Sequence, residues 1–457
     1  MPQALPRRSL LVAFAVAIGL LLVAPLGGSA ASPGSAFPYC SWWVKTTPET
    51  TNVAFPDSAA TYWTTPFRAE QGLEIKIEGQ YPDARYMSFN AYDESGGSFE
   101  ANGVSSGIAD YQIAPSPGSV NPFQVEGEPG GSFTVSLSGS AKPGDVNTLP
   151  LAPEGEAGMS RAPIGFLLYR VYLPTGGNGA VQLPKLTVVK EGKQVALPRC
   201  PAGSGELTAS VRSNGSAADA ARALGPKLRV RPKQVFRALL KLGKAVRKGE
   251  SGGTKPCRGA ECPPPLQFFR ASAASTNSFF PNVNNAYVSA LFRPVAGKVV
   301  VVRGKAPTTP PGTSPVPWPQ QDLQLRYFSL CNNVYLSPWP VVANPTAGGG
   351  TEYGCAADFE TKLNVAGEYA YVVAKPGQRK AVEAAGGTFI PLSTTQPHAR
   401  QILILRNMLP DESFTYAVQD APQDAEPAST AAAMGAYYPR AYRCTPAQFR
   451  AGSSACG

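Results

Sequence analysis

Two kinds of apolar pattern run along this chain. In LEIKIEG (73–79) and SFTVSLSG (132–139) apolar and polar residues alternate, the period-two signature of a strand with one buried face. KVVVVRG (298–304) and EYAYVVA (368–374) are instead unbroken runs rich in β-branched and aromatic residues, as expected of strands covered on both faces. Glycine and proline, 46 of each, keep cutting such runs short, so the pattern predicts short strands joined by tight turns. Strands do not alternate with long helices, which disfavours a parallel α/β core. The expected fold class is all-β, with β-sandwich or jelly-roll-like units.

The pattern is also written twice. TNVAFPDSAATYWTTPFR (51–68) is answered without a gap by TNSFFPNVNNAYVSALFR (276–293), with Thr-Asn, Phe-Pro, a tyrosine and Phe-Arg in step. RYMSF (85–89) returns as RYFSL (326–330), AKPG (141–144) as AKPG (374–377), and LLYRVYLP (167–174) as LILRNMLP (403–410). Four blocks in one order predict two copies of a unit of roughly 140 to 170 residues, an ordinary domain size. The organisation expected is a leader at 1–30, a first β unit at 37–202, a basic linker at 203–266 and a second β unit at 267–457.

Composition changes this picture at two places. Near the start, Arg7 and Arg8 precede an apolar run and a small-residue Gly28-Ser29-Ala30 site, the layout of a cleavable signal peptide; the run is short for a membrane span. Between the copies, residues 222–255 hold eleven Lys or Arg against one acid, Glu250, so the net charge of +10 belongs to this segment. Val235, Leu239, Leu242 and Val246 share one helical face there, with Arg237, Lys241, Lys244, Arg247 and Lys248 around the rest. Two readings follow: a surface helix that meets an anionic lipid or cell-wall polymer, or an inter-domain helix with a solvated basic back. Phe236 is the only aromatic in the segment, so stacking on nucleic acid is not expected.

Eight cysteines in an exported chain predict four disulfides. The repeat positions suggest Cys40 with Cys200 and Cys262 with Cys444, and elimination then leaves Cys331 with Cys355 and Cys257 with Cys456. A Cys257–Cys262 bridge is the competitor, and it leaves Cys444 to pair with Cys456. With one histidine in the chain and no close CxxC pair, zinc and other metal centres are not expected, nor is a cofactor.

Candidate chemistry centres on arginines within apolar strands. Arg170 shares a strand face with Phe166, Leu168 and Tyr172, and Arg406 with Ile402, Ile404 and Met408; Arg85 and Arg326 sit in equally apolar blocks. Each needs a carboxylate or carbonyls, because an unpaired buried charge is costly. Acids close in sequence are Asp93 and Glu94, and Asp358 and Glu360. Structural ion pairs are one reading, and a bidentate anion or carboxylate site is the other. GVSSG (103–107) and GESGG (249–253) match a nucleophile motif but lack the strand before and the helix after, and His398 stands alone at a strand start. Asp93, Glu94, Glu100 and Asp110 surround a Gly/Ser-rich loop where acid–base work is conceivable. Trp42, Trp43, Tyr62 and Trp63, and Trp318, Tyr335 and Trp339, offer stacking surfaces for sugars or apolar ligands, or caps on the cores.

FNAYDESGG (89–97), NTLPLAP (147–153) and YRVYLP (169–174) together resemble the bacterial domain of unknown function twelve-fourteen. Thr148 stands where that family shows tryptophan, and the second copy departs further, with Asn407-Met408 after Arg406. The resemblance implies a β-rich jelly-roll-like fold, no established activity, and Tyr92, Asp93, Asn147, Arg170 and Tyr172 as ligand-binding candidates. The function expected is non-catalytic binding of an extracellular or cell-envelope ligand such as a glycan, lipid or anionic polymer, by a secreted or cell-surface protein. The alternatives are a hydrolase or lyase using carboxylates and arginines of the first copy, and a purely structural surface protein.

Overall fold

The computed structural model describes residues 40–42, 44–127, 130–157, 159, 162–177, 179–200, 266–272, 280–336 and 339–457. The leader, the basic helix, Cys257 and Cys262 lie outside them. The described chain is mostly β-sheet, in several sheets of which none closes into a barrel. Among the described residues no helix is long and apolar enough to cross a membrane.

Four larger sheets carry the architecture. Sheet I runs, in spatial order, Val44–Thr46, Ala60–Arg68, Ile164–Pro174, Ala84–Tyr92 and Gly107–Ala109. Sheet II runs Lys193–Ala196, Lys185–Lys190, Leu73–Gln80, Ser132–Ser138 and Thr148–Pro150. In the C-terminal half, sheet III runs Phe269–Arg270, Asn285–Phe292, Gln401–Pro410, Leu325–Val334 and Cys355–Ala357. Sheet IV runs Thr388–Pro391, Glu368–Ala374, Val299–Lys305 and Arg440–Cys444. Sheet III follows sheet I position for position, and sheet IV follows sheet II in reverse order. Even the one parallel pairing recurs, Ser132–Ser138 with Thr148–Pro150 and Glu368–Ala374 with Thr388–Pro391.

Burial explains the two apolar patterns. In Leu73–Gln80 only alternate residues are buried, because one face meets the core and the other meets solvent. Ala84–Tyr92 and Leu325–Val334 are buried at every position. One face of Ala84–Tyr92 sends Met87, Phe89 and Ala91 into a cluster with Ile75, Ile77, Val135 and Leu137 of sheet II. A second cluster joins sheets III and IV through Val288, Leu330, Leu403, Tyr371 and Val302. A third mixes the halves: Tyr86 and Tyr172 of sheet I meet Tyr327 and Met408 of sheet III. The far face of sheet IV is covered by the short helices Arg379–Ala384 and Pro446–Arg450, which bury Val382 and Phe449 against Val301 and Val372.

Among the described residues three disulfides are present, Cys40–Cys200, Cys331–Cys355 and Cys444–Cys456. The last corrects the expected pairing of Cys444 with Cys262 and of Cys456 with Cys257. The chain after Cys444 turns through the helix Pro446–Arg450 and a 3-10 turn at Ser454–Cys456, bringing the Cα atoms to 5.5 Å, so the pair closes locally. Cys40–Cys200 ties the two ends of the N-terminal half across 160 residues.

Candidate functional site

The charged centre of the molecule lies where sheets I and III face each other. Every buried charge among the described residues is an arginine or an aspartate: Arg85, Arg170, Arg326 and Arg406 against Asp57, Asp110 and Asp358. All three ion pairs among them cross between the halves. Arg85 Nη1 reaches Asp358 Oδ2 at 3.0 Å and the Arg326 carbonyl at 3.3 Å, and Arg85 Nη2 also donates to the Gly312 carbonyl. In return Arg326 Nε donates to the Arg85 carbonyl at 2.9 Å, and its Nη2 stands 3.5 Å from Asp110 Oδ2. Both aspartates open a 3-10 turn, Asp110–Gln112 and Asp358–Glu360, and each accepts the next residue's N–H at 2.7 Å. Burial outweighs pairing at both carboxyls, raising Asp358 as well despite the attraction of Arg85. It lifts the Asp110 carboxyl to about 6 against the pull of Arg326, and lowers Arg326 despite the attraction of Asp110. Arg326 also lies over the rings of Phe123 and Trp318, at 5.2 and 5.7 Å.

The other two arginines are held by loops exchanged between halves. Phe55 and Phe280 both adopt left-handed backbone, φ 57° and 51°, which turns each carbonyl inward. Arg406 Nη2 donates to the Phe55 carbonyl at 2.6 Å, and Arg170 Nη2 to the Phe280 carbonyl at 3.1 Å. Beyond this their surroundings differ. At Arg406 the carboxylate of Asp57 lies 3.7 Å from Nη1 and accepts from Tyr327 at 3.0 Å and Ser329 at 2.6 Å. At Arg170 the corresponding residue is Asn282, whose Oδ1 accepts from Tyr86 at 3.2 Å and from the Asn284 N–H at 3.1 Å. Among the described residues Arg170 itself has only neutral partners: Asn90 Oδ1 at 2.8 Å, Tyr92 Oη at 3.2 Å, the Phe280 carbonyl and the Tyr62 ring at 5.2 Å. Burial raises Tyr62, Tyr92 and Tyr172 and pushes Tyr86 up to about 12, so these phenols are neutral near pH 7 and supply no counter-charge.

The structure brings together three of the five residues singled out from the sequence. Tyr92 and Arg170 share a hydrogen bond, with Tyr92 donating on to the Pro281 carbonyl at 2.8 Å. Tyr172 lies on the same strand face and packs edge-on against Tyr86 and Tyr327, at 5.7 and 5.1 Å. Asp93 spends its Oδ1 on Ser95 and Gly97 in its own turn. Asn147 lies in another loop, at φ 52°, holding both the N–H and the carbonyl of Ala114. Asp57, Asn90 and Asn282 were missed, and Asp110 was singled out as a loop acid rather than as an arginine's partner. The signal for Asp57 and Asn282 was present in the paired FPD and FPN of the repeated block.

Other candidates have ordinary surroundings. Ser105 sits in a two-stranded ribbon with Glu100–Ala101, without the strand-to-helix turn of a nucleophile elbow. His398 is exposed. Trp42, Trp63 and Trp318 are buried, so they serve as core; Trp339 and Tyr335 are half-buried around Phe55, with ring centroids at 6.0 and 6.5 Å. Asp57 lies beside Cys331 and Cys355, but those sulfurs are tied in a disulfide and are not thiolate ligands.

No family model matches the chain, and no curated protein matches it. Solved structures similar in shape include the following two. An uncharacterised protein from Burkholderia cenocepacia superposes with a TM-score of 0.47 at 12% identity, over 98% of this chain and 91% of that one. The VPA0106 protein from Vibrio parahaemolyticus does so with a TM-score of 0.42 at 12% identity, over 95% and 99%.

Proposed function

We propose that this chain is a secreted, non-catalytic binding protein built from two homologous β-sandwiches, sheets I with II and III with IV, stacked through sheets I and III. The observation that carries this reading is the fate of the polar residues that would perform hydrolysis. Arg170 is 2% exposed with both Nη groups bonded, while Asp93 is committed to its own turn and Asn147 to the backbone of Ala114. Such groups hold a scaffold together and leave exposed loops to meet an extracellular or cell-envelope ligand. The disulfides and the charged, apolar, small-residue leader support an exported location. The likeness to the domain of unknown function twelve-fourteen rests on the three motifs of the first half.

The test is a thermal-shift panel of glycans, lipids and anionic polymers on the oxidised chain from Ala31 onward. A shift that survives Arg170→Met, in a variant shown to fold, places the ligand on the loops as proposed. A shift lost on that substitution moves the site to the junction, and turnover of any polymer overturns the non-catalytic reading. Binding through residues 222–255 is distinguished by loss at high salt and on neutralising their Lys and Arg.

A further inference from the structure

The surroundings of Arg170 and Arg406 are equivalent in backbone but not in charge. Asp57 supplies Arg406 with a carboxylate, Asp110 and Asp358 serve Arg326 and Arg85, and the fourth guanidinium, Arg170, has no buried carboxylate among the described residues. Asn282 occupies the position of Asp57. Its orientation is set by the Asn284 N–H, which donates to Oδ1, so the second atom of the amide is a donor where Asp57 presents an acceptor. That Nδ2, the Nδ2 of Asn90 and the Nε of Arg170 are all buried without a hydrogen-bond partner, and their residues are at most 2% exposed. Three buried donors and one uncompensated cation in a junction of neutral phenols are a costly arrangement unless an acceptor of negative charge completes it.

We propose that the buried donors around Arg170 bind one small monovalent anion, a halide or a small carboxylate, in the role that the Asp57 carboxylate plays at Arg406. The anion is a structural ligand of the junction, held by Arg170 with the amides of Asn90 and Asn282. Burial restricts it to small species, so polymers and large organic acids are excluded.

The chain carries its own control, since Asn282→Asp would supply the carboxylate internally. Thermal unfolding of the oxidised chain is measured at constant ionic strength with gluconate as the bulky reference anion, titrating chloride, bromide or formate. Wild-type Tm is expected to rise by about 2 °C per tenfold increase in the small anion above its Kd. Asn282→Asp raises Tm in gluconate and abolishes the anion response, and Arg170→Met abolishes the response without the gain. A response to halides alone identifies a halide site, and an equal response to formate a carboxylate-accepting one; both support the proposal. A wild-type Tm that ignores every small anion overturns it, as does an anion response that persists in Asn282→Asp. A phenolate absorption band at pH 7 that disappears in Arg170→Met also overturns it, by showing that a tyrosine supplies the charge.

Discussion

Replacing Asp358 with asparagine removes one charge from a crossed ion pair while keeping an acceptor for the Phe359 N–H. The side chains of Arg85 and Asp358 are 0% and 1% exposed, with nitrogen and oxygen 3.0 Å apart, so solvent does not screen them. With charge centres about 4 Å apart and an effective dielectric near 20, the lost attraction is about 4 kcal/mol. Breaking one partner of a buried pair is expected to cost about 3–5 kcal/mol, since Arg85 would be left buried with only the Arg326 and Gly312 carbonyls. Arg85→Met in the Asp358→Asn background should recover part of this loss, giving a coupling of about 2 kcal/mol in a double-mutant cycle. The assay is urea unfolding followed by tryptophan fluorescence, in which Trp318, stacked near Arg326, reports on the junction. The cost should be insensitive to salt. A loss below about 1 kcal/mol, or two single variants whose effects simply add, would refute the reasoning.

Other expectations follow from the same geometry. The Asp110 carboxyl is raised in the fold to about 6 from 3.8, so the folded chain binds more protons than the unfolded chain between those values. This group's contribution therefore falls as pH rises from about 4 through about 6, by about 3 kcal/mol in all, and the wild-type minus Asp110→Asn stability difference should fall over that window. A flat difference would show that Arg326 already compensates the charge. Reducing Cys40–Cys200 by Cys200→Ser should cost about 5 kcal/mol on loop-entropy grounds for a closure of 160 residues, read from the urea midpoint; an unchanged midpoint would show that the first half needs no tie. Gly107→Ala should cost about 1–3 kcal/mol, because a Cβ there would overlap Asn90 and come within 2.5 Å of Val283 from the other half. A neutral effect on Tm would mean that the junction is looser than its contacts indicate.

Much of the fold could be read in the chain. Alternation in LEIKIEG and SFTVSLSG and the solid runs of KVVVVRG and EYAYVVA each correspond to a strand with the expected burial. Cys40–Cys200 and Cys331–Cys355 were legible too, the first from repeat position and the second by elimination. The arginine partners were not. A search along the sequence offered Asp93 and Glu94 to Arg85, whereas its partner is Asp358, 273 residues away, because the carboxylate arrives from the opposite half. Periodicity shows that Arg170 faces apolar company but not which loop crosses to cover it, and the loop that does so comes from Phe280 and Pro281. Cys444–Cys456 was legible only as the alternative, because repeat-related cysteines were expected to serve repeat-related bridges; a short terminal turn supplied a nearer partner.

The crossed exchange also sets a clock for biogenesis. Arg85 leaves the ribosome 273 residues before Asp358. At roughly 5–20 residues per second that is an interval of about 15–55 s, during which the first half has only its own core to stabilise it. Its tyrosine-lined face and two of its strand arginines must stay hydrated, or shielded by a chaperone, until the second half arrives. A chain of this kind gains from maturing only once its last strands are available.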